Sequence, residues 1–338
     1  MPFCQGVVIP AIANGLSSPR LSSYSRLLGT DDKRNAVGAY LWSLELNAAL
    51  SPLIGTVEVV LRNSIHNAAT NAFGRADWLQ DVLKWHGDKV FIRKARSDPA
   101  ISSAFYRRSC QPYHRQNVVV AGTSRRLKHW RSHVEAKRDN ILLALQNEGK
   151  PNTPDQIVAH AMFGFWLDLL QAPFEDLNAR LSIWPQCQHH IFPHDQTMDR
   201  RKAESILIGI KRLRNRVSHH EPAWNVATPL TLIGVQHYMT SRVNEMETLL
   251  KSMNPDIVLL MRNAGIFSRL AWLLEPRTIS SFAELIPGET INYKRLNRTV
   301  RKFTKALATR SGGPLPNPIA PFHVTHRGKT LLALIPFG

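Results

Sequence analysis

The chain has 338 residues, 43% of them hydrophobic, and its 43 Lys and Arg against 25 Asp and Glu leave a formal net charge of +18. That length and apolar content suit one large or two smaller globular domains, and the charge excess points to a polyanionic partner, most simply nucleic acid. Three cysteines are too few for a disulfide framework, no run approaches the roughly 18 apolar residues that span a bilayer, and the apolar start lacks the preceding Lys or Arg of a signal peptide, so a cytoplasmic protein without a membrane partner is expected.

In chain order, residues 1–30 carry Gly, Pro and Ser without periodicity, which predicts a poorly ordered lead-in. Asp31 or Asp32 suits the N-cap of a helix over 32–50, and Pro52 suits the first turn of the next helix. In that next helix Leu53, Val57, Val60 and Leu61 form an apolar stripe, while Glu58, Arg62 and His66 follow one another at steps of four. The polar stripe has two readings: a Glu58–Arg62 brace, or one wall of a cleft.

Residues 124–147 read as a long basic helix. On it Arg125, Arg126, Lys128 and Arg131 either track RNA phosphates or form a solvated face. Pro151 to Pro154 interrupts the chain before a block in which Phe163, Phe165 and Trp166 read as core aromatics and Gly164 as a point of close helix approach. Cys187, His189, His190, His194 and Asp195 lack the spacing of a zinc site and read as a loop, so no metal and no cofactor are expected.

Ile206, Ile210, Leu213 and Val217 recur at helical spacing and predict a buried stripe leading into Leu213 to Pro222, LRNRVSHHEP. Asn215 and His219 share a face, whereas Arg214 and His219 point about 140° apart on an unbroken helix at 3.6 residues per turn. Pro222 disfavours helical backbone at Glu221, so the last turn is expected to open between Ser218 and Glu221 and to let the histidines swing toward Arg214. Arg and His are the groups that metal-free RNA cleavage needs, and the plainer reading is a basic C-terminal cap followed by a proline stop. Past Asn254-Pro255 two more helices are expected, around Ile257 to Met261 and Ile266 to Leu273. A second basic stretch, Lys294 to Arg310, and Gly and Pro punctuation follow. No Gly-rich phosphate loop and no paired carboxylates within one motif are visible, which disfavours nucleotide hydrolysis and two-metal chemistry.

Four blocks resemble, in order, those of the Abi-like (abortive infection) protein family of the HEPN superfamily. They are Leu53 to Leu79, reading LIGTVEVVLRNSIHNAATNAFGRADWL; Val158 to Leu170, reading VAHAMFGFWLDLL; Ile183-Trp184-Pro185 with Ile191-Phe192-Pro193; and LRNRVSHHEP. Together they cover roughly residues 36 to 253. The resemblance implies an all-α fold, a HEPN-like helical bundle expected over 31–253, with a basic and mainly helical C-terminal appendage over 254–338. It also implies a metal-independent endoribonuclease acting as a homodimer with a composite active site, in phage defence or in a toxin–antitoxin system with an antitoxin as a further partner. Arg214, Asn215 and His219 match the family's Arg-Asn-x-x-x-His pattern and are the expected catalytic residues. His220 and Glu221 lie in the same block, and Glu58, Arg62, Asn63 and His66 in the early one, as supporting residues. The early block has one residue fewer between Asn63 and His66 than the nuclease pattern. Because relatives exist that keep the bundle without turnover, the alternative is a non-catalytic RNA- or protein-binding module.

Overall fold

The computed structural model describes residues 9–79, 134, 137–171, 174 and 183–283, together with three strands further on. Helix α1 (Ile9–Leu16) and α2 (Ser18–Leu28) lead into α3 (Lys33–Phe73), which is 41 residues long. Helix α4 (137–147) is followed by α5 (Pro154–His160), α6 (Phe163–Leu169), α7 (Gln188–Ile191) and α8 (Arg200–Ser218). Then come α9 (Leu232–Met253), α10 (Pro255–Asn263), α11 (Ile266–Leu274) and α12 (Pro276–Ala283). Strands β1 (Glu289–Asn292), β2 (Phe322–His326) and β3 (Lys329–Leu334) form a sheet in that order, β1 parallel and β3 antiparallel to β2.

The protein is mostly helical, in line with the all-α expectation, but the C-terminal region is not helical throughout. The sheet is hard to read from sequence because its strands are only four to six residues long and β1 lies far along the chain from β2, although β2 and β3 are separated by only two residues. The pairing of Ile291 with Val324 is tertiary information.

Of the segment expected to be a poorly ordered lead-in, residues 1–8 lie outside the described residues, while Ile9–Leu16 and Ser18–Leu28 are helical. Leu21, Tyr24 and Leu27 recur every third residue on α2 and are all buried, and left-handed Gly29 closes the helix. An eleven-residue helix gives its period too few repeats to stand out among Ser and Pro. Asp32 is the N-cap of α3, its Oδ1 accepting the Arg34 N–H at 2.8 Å.

Pro52 does not start a new helix; it lies inside α3. Its missing N–H leaves a carbonyl one turn back without its usual donor, and the Ser51 hydroxyl bonds the neighbouring Asn47 carbonyl at 2.9 Å. Leu46, Leu50, Leu53, Val57, Leu61 and Ile65 are fully buried along this helix, while Val60 is only half-buried. By length and composition alone α3 is apolar enough to cross a membrane, yet its apolar stripe is covered by the chain's own packing, as in a core helix.

Two compact units interleave along the chain instead of following one another at residue 254. The first comprises Met1–Leu53, Arg214–Asn244 and Leu260–Gly338; the second comprises Ile54–Leu213 and Glu245–Leu259. In the first, Trp42 Nε1 donates to the Leu273 carbonyl at 2.7 Å, and Gly38 lets the backbone of α12 approach so closely that a Cβ would lie 2.0 Å from the Phe282 oxygen. In the second, Trp184 stacks on Phe192 and donates to the Leu169 carbonyl, and buried Arg200 is satisfied by the Leu170 carbonyl and Glu204.

Candidate active site

Helix α8 buries Ala203, Leu207, Ile210, Leu213 and Val217, close to the stripe expected from spacing, with Ile206 half-buried beside it. Its end is a complete Schellman motif. The His219 N–H still bonds the Asn215 carbonyl at 3.1 Å, so His219 belongs to the last helical turn. His220 then adopts φ +52°, its N–H reaching the Val217 carbonyl at 3.1 Å, and the Glu221 N–H closes the loop on the Arg216 carbonyl at 2.9 Å. Glycine usually takes this left-handed position; a histidine holds it here at a backbone cost.

Groups distant in sequence hold the turn. Asn47 Nδ2 donates to the Glu221 carbonyl at 3.3 Å and Arg20 to the His220 carbonyl at 3.4 Å, while Arg216 and Glu221 pair at 3.6 Å. Past Pro222, Ala223 and Trp224 are fully buried. The Trp224 ring lies 5.4 Å from that of Tyr24 and 5.7 Å from that of Trp42, and its N–H donates to the Ser43 hydroxyl. None of these anchors was singled out from sequence. The available signals were Asn47, a polar residue set between Leu46 and Leu50, and a Trp two residues past the proline.

The turn opens one residue later than swinging both histidines toward Arg214 requires. With His219 still helical, it and Arg214 project about 140° apart, while Asn215 and His219 share a face. The cause is that His220, not His219, takes the left-handed conformation. Arg214 is half-buried, and Asn215, His219 and His220 are exposed. Among the described residues the side chains of Arg214, Asn215 and His219 engage no hydrogen-bond or ion-pair partner.

The early-block residues belong to the other unit. The Glu58–Arg62 brace is not formed; Arg62 donates to the Ala159 carbonyl at 3.2 Å instead. Asn63 is exposed and Glu58 half-buried. His66 Nδ1 accepts the Trp78 indole N–H at 3.1 Å, and its Nε2 lies 3.8 Å from Asp155. Burial lowers the His66 pKa below its usual value, against a smaller opposing pull from Asp155.

Arg125, Arg126, Lys128 and Arg131 lie outside the described residues. Phe163, Phe165 and Trp166 are core residues, as expected. A Cβ at Gly164 would stand 3.4 Å from the tip of Lys211, an ordinary contact, and among the described residues no helix backbone comes near enough to require glycine there. Cys187 is buried, which pushes its thiol up to about 11, and Asp195 is engaged locally by the Thr197 hydroxyl and N–H.

Comparison with protein-family models, with curated proteins and with solved structures yields no match.

Proposed function

We propose that this chain is a metal-independent endoribonuclease of the HEPN type, acting in the cytoplasm as a homodimer on single-stranded or looped RNA. The observation that carries this reading is a contrast at the end of α8. The turn is fastened by Asn47, Arg20 and buried Trp224, yet Arg214, Asn215 and His219 engage no partner among the described residues. A rigid mount presenting an idle guanidinium, amide and imidazole is what a substrate-facing group of residues requires. The net charge of +18 suits a polyanionic substrate.

In this reading the ribose 2′-oxygen attacks phosphorus as the bond to the 5′-oxygen breaks, leaving a 2′,3′-cyclic phosphate and a 5′-hydroxyl. His219 accepts the 2′-hydroxyl proton or supplies one to the leaving oxygen. Arg214 neutralises the non-bridging oxygens as charge gathers on them, and Asn215, on the same face as His219, orients the imidazole or the phosphate. Because Arg214 and His219 diverge on one helix, a single phosphodiester meets both when one protomer brings the arginine and its partner the histidine. DNA lacks the nucleophile and survives. Phage defence, with or without an antitoxin, is the setting that the resemblance to Abi-like proteins implies.

Cleavage of RNA in EDTA by wild type, Arg214→Ala and His219→Ala, at matched helicity, tests the proposal. Each variant is expected to lose about 100-fold or more in rate, the scale of a general acid–base or oxyanion contribution. Activity abolished by EDTA refutes the metal-free chemistry, and full activity in both variants removes these residues from the site. Salt-sensitive RNA binding without any cleavage would assign the chain to the non-catalytic alternative.

A further inference from the structure

Within the second unit, the end of α3 and the residues just past it, together with α4 and the start of α5, surround a cavity of about 380 Å³. This falls in the range of small-molecule sites. Leu142, Ile157 and Val158 supply aliphatic wall, Trp78 an aromatic one, and His66, Arg138, Asn152 and Asp77 polar groups, the Asp77 carboxylate being paired with Arg75.

The state of His66 follows from its partner. An indole N–H can only donate, so His66 Nδ1, 3.1 Å away, is an acceptor and carries no proton. The neutral ring that burial favours therefore holds its proton on Nε2. At 3.8 Å, Asp155 is too distant for a direct hydrogen bond, and its side chain is 93% exposed. Nε2–H is thus a fixed donor with no hydrogen-bond partner among the described residues. A purely apolar ligand would leave it unsatisfied. Arg138 pairs with the adjacent, largely exposed Asp139, a weakly held surface contact that a phosphate can displace.

We infer that this cavity binds a nucleoside monophosphate unit, with the flat base between the apolar walls, a base acceptor atom on His66 Nε2–H and the phosphate at Arg138. The unit is either a free mononucleotide or one residue of a single strand. Its binding needs none of the residues from Arg214 to Glu221 and is separable from cleavage.

Calorimetric titration of the full chain with AMP, GMP, CMP and UMP, and with a short 2′-O-methyl oligonucleotide that resists cleavage, tests the inference and separates the two sources. At least one form is expected to bind saturably. His66→Phe, which removes the donor, and Leu142→Trp, which fills the cavity, are each expected to weaken that binding about tenfold or more. His66→Gln, whose amide nitrogen reaches the Nε2 position, is expected to stay within about threefold. Helicity by circular dichroism confirms that each variant is folded. The inference is overturned if neither form binds, if a folded Leu142→Trp binds as tightly as wild type, or if inorganic phosphate alone binds as tightly as the mononucleotides, which would leave the base no part in recognition.

Discussion

Replacing His220 with glycine isolates the backbone term at the end of α8. His220 sits at φ +52°, where an L-residue is disfavoured by about 1–2 kcal/mol, and glycine is not. Glycine also gains freedom in the unfolded chain, which offsets about 0.4–1 kcal/mol of that relief. The balance is a stabilisation of about 0.5–1 kcal/mol, or about 1–2 °C in Tm for a chain of this size. His220→Ala keeps the backbone cost and loses only an exposed imidazole, so its stability should stay within about 0.5 kcal/mol of wild type. Urea unfolding followed by circular dichroism measures both. If His220→Gly is no more stable than wild type, or if the alanine variant gains as much as the glycine one, the strain assigned to this turn is not there. Cleavage adds a second readout: with His219 as the acid–base group, His220→Gly should stay within about threefold of wild-type activity while His219→Ala fails.

Mixing equal amounts of inactive Arg214→Ala and His219→Ala chains, with subunit exchange, should restore about a quarter of wild-type cleavage. Half of the dimers are then mixed, and each mixed dimer has one intact site of two. No recovery in dimers shown to have exchanged would rule out a site shared between protomers. Gly38→Ala would drive a methyl group onto the Phe282 carbonyl and should cost about 3 kcal/mol by urea denaturation; an unchanged midpoint would show that α12 does not pack there. The lowered pKa of His66 makes its contribution to stability complete above its unfolded value of 6.5. As pH falls below that, the unfolded chain binds the proton first and the contribution is lost toward the folded pKa. The stability of His66→Gln relative to wild type should therefore rise between about pH 7.5 and about pH 5.5, and a fall would contradict the assigned burial.

Local chemistry made much of the architecture readable. The buried stripe of α8 and its end before Pro222 follow from periodicity and from proline's missing donor, both of which act within a turn or two. The Asp32 cap of α3 and the burial of Phe163, Phe165 and Trp166 are of the same kind. Where local signals competed they misled, as at Pro52, where burial on both sides carries α3 through a residue that favours a fresh start. Residue order alone shows a guanidinium and two imidazoles near a helix end. Which histidine leaves the helix is tied to contacts that residue order does not display: Arg20 and Asn47 hold the turn from 200 and 174 residues away. That choice decides which way His219 faces, because backbone carbonyls at a helix end take whichever donors the folded chain brings to them.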